Sequence, residues 1–353
     1  MEAKGEIYYN YVLSVEQTGE RFRFQLLTET GRLAAEGVFS LPSEFPNPEK
    51  MLPVLVGEET TPSVSGAVEN FGKSLYQRVF TPAVKREIER ITDVGGIVSI
   101  AIATRSRRAA ALPWEGMHDE KGPLTERGQV LICRTAERLS QTPLQHLGTT
   151  PRALIVSLTP PEKEKEVLLD KRANAVYNSL KRFEDEGLLN LHTAKVENAA
   201  AMQHYINAFS PHIICLISIS AGGGVFLSST EMVTASKIVG ILMEVSDLRC
   251  VLLTSPPCEQ MSFFDIAWQL VNRGMPAVLV RRIVLEEKLE RLYLNGFFDS
   301  ALKGSRIDVA HLAGCKPLIN KRTIAYLAPV LFVSSQLPIM PRLSDEQLAR
   351  YKE

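Results

Sequence analysis

The sequence predicts an α/β protein: a mostly parallel sheet flanked by helices on both faces, with a small antiparallel β element at its amino terminus. From residue 97 onward, short apolar runs alternate with segments of helical periodicity. That alternation requires crossover connections and a parallel sheet. Several runs are apolar throughout, as strands covered on both faces must be. A third observation places the antiparallel element in the first 40 residues. Ile7 to Val15 alternates loosely, Phe22-Arg23-Phe24-Gln25-Leu26 alternates apolar and polar, Thr30-Gly31 supplies a turn, and Leu33 to Leu41 continues as a strand.

Residues 42–66 carry five prolines among Glu, Ser and Thr and read as a surface connection. Val68, Phe71, Leu75, Val79 and Phe80 then recur at three- and four-residue intervals, the stripe of a core-facing helix, and Val84, Ile88 and Ile91 carry it past Pro82. The expected strands of the main sheet are Ile97–Ala103, Val130–Arg134, Ala153–Leu158, Leu189–Thr193, His212–Ser218, Cys250–Thr254, Ala277–Val280 and Val330–Val333. Between them, helices are expected over 163–187, 197–209, 230–246, 260–273 and 284–302. Glu162-Lys163-Glu164-Lys165-Glu166 is a charge run, read as the solvated start of a helix. The chain thus divides into a meander with its proline-rich connection (1–66), an α/β domain (67–336) and a short tail (337–353).

Of 353 residues, 45% are apolar and 23% charged, the balance of a globular protein. Lys plus Arg and Asp plus Glu each number 40. The zero net charge argues against nucleic acid or a membrane surface as main partner and favours association with protein, including further copies of the chain. The five cysteines match no zinc spacing, so no metal is expected. Cys133, Cys215 and Cys250 lie inside apolar strands and read as buried, inert thiols. The start lacks a signal peptide's apolar region, and no run is long enough to cross a membrane, which together imply a reduced, cytoplasmic protein.

Chemistry in an open parallel sheet sits at the carboxyl ends of neighbouring strands. One strand runs from His212 into Ala221-Gly222-Gly223-Gly224; another, Arg249 to Thr254, ends in Ser255-Pro256-Pro257-Cys258-Glu259. Gly222, Gly223, Ser255 and Glu259 are therefore expected to line a cleft. The glycines lack the Gly-Lys-Ser/Thr ending of a phosphate loop, and no cofactor is implied. Cys258 precedes the helix 260–273, where dipole and free amides lower a thiol's pKa.

A series of motifs resembles the CHAT domain, a caspase-like family related to separase. In order, these are Leu75-Tyr76-Gln77-Arg78-Val79-Phe80; Ala111-Leu112-Pro113-Trp114-Glu115-Gly116-Met117, with the Pro-Trp-Glu signature; and Leu131-Ile132-Cys133-Arg134. There follow Gly274-Met275-Pro276-Ala277-Val278-Leu279-Val280; Phe297-Phe298-Asp299-Ser300-Ala301-Leu302-Lys303-Gly304; and Ala328-Pro329-Val330-Leu331-Phe332. They span roughly residues 68–335. The resemblance implies a caspase-like sheet. For the signature itself, Trp114 and Glu115 read as a buried indole and a carboxylate pinning a loop, with Arg134 as a donor to that carboxylate; a catalytic Glu115 is the minor reading.

The resemblance also implies a catalytic histidine and cysteine. The histidine's place falls on Ile219, with Ser220 where a glycine should follow. His212 stands seven residues upstream, about 23 Å along an extended strand, and reads as a strand-opening residue near the surface. The cysteine's place falls on Pro256 without a gap and on Cys258 with a two-residue insertion. His118 follows the Pro-Trp-Glu signature and is the candidate unconventional base. His146 and His192 lie in or near loops, His204 in a helix, and His311 near the carboxyl end.

Two functions stay open at this point. One is a degenerate CHAT pseudoprotease that acts as a binding or assembly subunit, contacting peptide in the vestigial cleft or a protein partner. The resemblance implies a setting in bacterial defence or regulated cell death. The other is an active cysteine endopeptidase using Cys258 with a non-standard base such as His118.

Overall fold

The computed structural model describes residues 6–41, 62–136, 139–158, 163–221, 224–226, 231–254, 261–282, 285–319 and 324–340. The antiparallel element forms as expected: β1 (Tyr8–Thr18), β2 (Arg21–Thr28) and β3 (Leu33–Ser40) make a meander. Gly19 and Gly31 turn the chain at positive φ, which a side chain would oppose. Alternation directs Leu13, Val15, Phe22, Phe24, Leu26 and Phe39 into one core. β1 then pairs in parallel with β4 (Ile97–Thr104) from Tyr8–Ile97 to Val15–Thr104. The meander is therefore an extension of the main sheet.

Two helices precede β4: α1 (Pro62–Val79) and α2 (Pro82–Thr92). The apolar stripe runs through both, but the helix breaks between them. Pro82 takes the first position of α2, where its missing N–H costs nothing, and the Thr81 hydroxyl accepts from Val84 N. The end of the expected proline-rich connection, from Pro62, is already helical; residues 42–61 lie outside the described residues.

After β4 come α3 (Arg107–Ala111), a single 3-10 turn (Trp114–Gly116) and a hairpin of β5 (His118–Asp119) and β6 (Gly122–Pro123). The chain continues through β7 (Val130–Thr135), β8 (Arg152–Leu158), α4 (Lys163–Asp185), β9 (Asn190–Val196), α5 (Ala199–Phe209) and β10 (Ile213–Ile217). Next are the short β11 (Ser220–Ala221), β12 (Gly224–Phe226) and β13 (Met232–Thr234), then α6 (Ala235–Met243), β14 (Cys250–Thr254) and α7 (Met261–Asn272). The last elements are β15 (Ala277–Arg281), α8 (Glu287–Leu302), α9 (Ile307–Ile319) and β16 (Pro329–Val333).

Among the described residues, the main sheet has eleven strands in the order β3-β2-β1-β4-β7-β16-β15-β14-β10-β8-β9. β1, β4 and β7 run parallel to one another, as do β15, β14, β10, β8 and β9; β16 lies between the two sets, antiparallel to β15. α4, α8 and α9 bury their apolar sides on one face of it. α5, α6 and α7 cover the other. This is the mostly parallel, doubly covered α/β fold that the alternation predicts, and it is consistent with the caspase-like sheet that the resemblance implies.

Three local readings change. The helix expected from 230 starts at Ala235, because Met232–Thr234 pairs with β12 and Thr234 caps α6 through Lys237 N. α9 was not legible as a helix: it is buried on nearly every side, so it shows no polar–apolar stripe. Its contact with α8 depends on glycine, since a Cβ at Gly296 would lie 2.5 Å from the Ala313 carbonyl. His212 is buried, not near the surface. Its Nδ1 accepts from Arg152 N at 2.9 Å, and its carbonyl accepts from Arg249 N at 2.8 Å, so it stitches the amino ends of three strands.

Candidate functional site

The carboxyl ends of β8, β10 and β14 meet in one row. Ile217 closes β10 with Ser157 of β8 on one side and Thr254 of β14 on the other. Beyond Ile217, Ser218 Oγ donates to the Phe226 carbonyl at 2.8 Å, and Phe226 N donates to the Ile219 carbonyl at 3.0 Å. These bonds fold the β11–β12–β13 hairpin back over the strand end. Ile219, at the expected histidine position, is 5% exposed and packs in the same core cluster as Ile217 and Leu285. Ser220 opens β11, but its side chain lies outside the described residues, as do Gly222, Gly223, Ser255, Cys258 and Glu259 in full.

A second, charged cluster stands where the Pro-Trp-Glu segment meets β7 and β15. Trp114 is fully buried; its Nε1 donates to the Ala109 carbonyl at 2.9 Å, and its ring meets Phe39 edge-on at 6.5 Å. Glu115 receives two bonds from Arg134, Nε to Oε1 at 2.7 Å and Nη2 to Oε2 at 2.9 Å. Arg282, just past β15, adds a third at 3.3 Å and also donates to the Leu112 carbonyl at 3.2 Å. Burial alone would raise the Glu115 carboxyl; the two guanidiniums outweigh it and hold it at about 2. Glu115 is therefore ionised and occupied, which fits pinning rather than proton transfer. Both arginines stack toward Phe264 in the first turn of α7, at 5.5 and 5.7 Å. The signature thereby supports the helix that follows the β14 end.

The described histidines stand elsewhere. His118 Nε2 is 3.0 Å from the Tyr326 hydroxyl, and the ring lines a groove of about 1000 Å³ between α1, α2 and the β5–β6 hairpin. Burial lowers its pKa. In strand order β7, β16 and β15 separate β4, which leads to the hairpin, from β14. His311 lies inside α9 with Nδ1 2.8 Å from the Tyr293 hydroxyl and Nε2 3.8 Å from Cys315 Sγ. Burial pushes this imidazole down to about 4 and raises the Cys315 thiol, so both are neutral near pH 7. Cys133, Cys215 and Cys250 are buried as expected, and burial pushes the Cys215 thiol up to about 12. Among the described residues, no group of three or more His, Cys, Asp and Glu is arranged to hold a metal ion. No described helix is long and apolar enough to cross a membrane.

The family model of the CHAT domain matches residues 69–313. This chain belongs to the CHAT family. A comparison with curated proteins finds no match. The CHAT match contains the β10 and β14 ends and the whole Glu115–Arg134–Arg282 cluster, but two parts of the sheet lie outside it. The β1–β3 meander adds strands beyond β4, and β16 sits in the sheet's interior between β7 and β15.

Sequence reasoning found Trp114, Glu115 and Arg134 and missed the other buried charges around them. Arg282 completes the CHAT signature cluster; Arg281, beside it, pairs with Glu290 of α8 at 3.3 Å, and Glu290 also meets Arg172 of α4. Two arginines closing an apolar strand were the available signal, since charge there demands a buried partner. The His311–Cys315 pair was also missed, although four residues' separation sets two side chains on one helix face.

Proposed function

We propose that this CHAT domain is catalytically degenerate and works by contact, holding polypeptide or a partner subunit at the carboxyl ends of β10 and β14. The observation that carries the reading is Ile219. The position where the resemblance implies a histidine holds an apolar side chain packed into the core beneath the strand end. Peptide cleavage needs a base for the nucleophile and an acid for the leaving amine. Three of the six histidines are engaged at other places: His118 with Tyr326, His212 with Arg152, His311 with Tyr293. Cys258 remains the proposed site of thiol chemistry, reactive without being catalytic. A setting in bacterial defence or regulated cell death rests on the family resemblance alone.

The test is incubation of the purified chain with a mixed-sequence peptide library and a thiol-directed activity probe. No cleavage is expected. Cleavage that disappears in Cys258→Ala would overturn the proposal and return the chain to the active endopeptidases, with a base other than the position-219 side chain.

A further inference from the structure

A second groove, of about 450 Å³, opens at the end of the sheet away from the β10–β14 carboxyl ends. Pro276, just before β15, and the segment from Ser334 to Pro338, just after β16, form one wall; residues 139–144 form the other. Backbone bonds fix both walls. Ser334 N donates to the Pro276 carbonyl at 3.1 Å, Ser334 Oγ to the Gly274 carbonyl at 3.2 Å, and Ser140 N to the Ser334 carbonyl at 2.6 Å. None of the thirteen lining residues is charged, in a chain that is 23% charged, whereas eight of the seventeen around the His118 groove are. Leu139, Leu144, Leu337 and Pro338 are only half-buried there. Charge depletion around part-exposed apolar side chains marks a surface that another segment covers.

The chain itself supplies a segment of matching chemistry. Pro338 lines the groove and residues 341–353 follow Met340, so they continue from its rim. Thirteen residues extend to about 45 Å, ample to fold back over it. Ser344 and Gln347 have the spacing of a capping box, and Leu343 and Leu348 stand at the hydrophobic-staple positions around it. Tyr351 follows Leu348 by three, the spacing of one helix side.

We propose that residues 343–351 seat in this groove of their own chain as a short helix, with Leu343, Leu348 and Tyr351 turned inward. An occupant tethered a few residues from its seat is held at high effective concentration, which favours it over a free partner. The test is hydrogen exchange of the full chain, read by mass spectrometry over residues 341–353. The amides of 345–351 should exchange about tenfold or more slowly than in a synthetic peptide of the same sequence. Leu348→Asp in the segment and Leu144→Asp in the groove wall should each remove that protection. Thermal melting establishes that Leu144→Asp is folded. Thr142 is exposed on the groove wall, so the pair Thr142→Cys and Leu348→Cys gives a second reading if Leu144→Asp is not: mild oxidation should close a disulfide within one chain. Exchange at the free-peptide rate, protection that survives in a folded Leu144→Asp, or no disulfide in the cysteine pair would overturn the proposal. Protection lost on dilution, or a disulfide joining two chains, would also overturn it and assign the groove to the segment of a second copy.

Discussion

The Glu115 cluster and the β10–β14 ends lie in one CHAT domain and are built in opposite ways. The first concentrates charge: one carboxylate, two guanidiniums, a buried indole and bonds to backbone carbonyls, every polar atom of Glu115 engaged. The second, among the described residues, sets isoleucines at 217 and 219 beside two hydroxyls, of Ser157 and Thr254, with no partner. Buried charge ties segments together in the first, and at position 219, where the resemblance implies a histidine, the side chain is apolar.

The harshest way to break the comparison is to remove the carboxylate. Glu115→Ala leaves Arg134 and Arg282 buried without an anion. It should cost about 3–5 kcal/mol, read by denaturant unfolding or by failure to obtain folded protein. If Glu115→Ala is nearly neutral, the cluster does not hold the frame. A change of pH loads a different buried group. His311 is held at about 4 by burial against an ordinary 6.5, so the unfolded chain takes up the proton first. Stability is fully present above pH 6.5 and falls as pH drops from 6.5 to about 4, at roughly 1.4 kcal/mol per unit. His212, which burial also holds at about 4, adds to the slope with the same sign, so thermal melting across this range should show the slope and His311→Gln should reduce it. Glu115, held at about 2, contributes with the same sign only below the ordinary carboxylate value of 4.5.

A smaller effect probes how the signature is seated. A Cβ on Gly72 of α1 would lie 1.9 Å from the Gly116 carbonyl. Gly72→Ala should therefore cost about 1–3 kcal/mol through overpacking, measured as a lower unfolding midpoint. A stability gain there would show that α1 does not press on the turn. The mildest test leaves stability alone. Four of the five cysteines are buried. A thiol reagent should modify no more than one thiol in the native chain, and Cys258→Ala should abolish that reaction. Rapid modification of two or more thiols would contradict the burial of the strand cysteines.

Much of the fold was legible because strand period and helix period are local properties. Phe22, Phe24 and Leu26 announce a half-buried strand, and Cys250 to Thr254 announces one covered on both faces. The α1–α2 break, the β13 strand and α9 were not legible, since each depends on a neighbour: a cap, a pairing partner, a glycine contact. The site divides the same way. An isoleucine at position 219, where the resemblance implies a histidine, is visible in the chain, as is the pairing of Glu115 with Arg134. Arg282 at Glu115, Arg281 at Glu290, and the hydroxyls flanking Ile217 are not.

By itself the amino-acid order determined which segments are strands and helices, that they stack as a covered sheet, and that no imidazole occupies position 219. Only the tertiary structure decided which charges share a carboxylate and which hydroxyls lack a partner. Periodicity follows from bonds along the chain, whereas the pairing of buried polar groups depends on distances between residues far apart in sequence, which exist only once the sheet has closed.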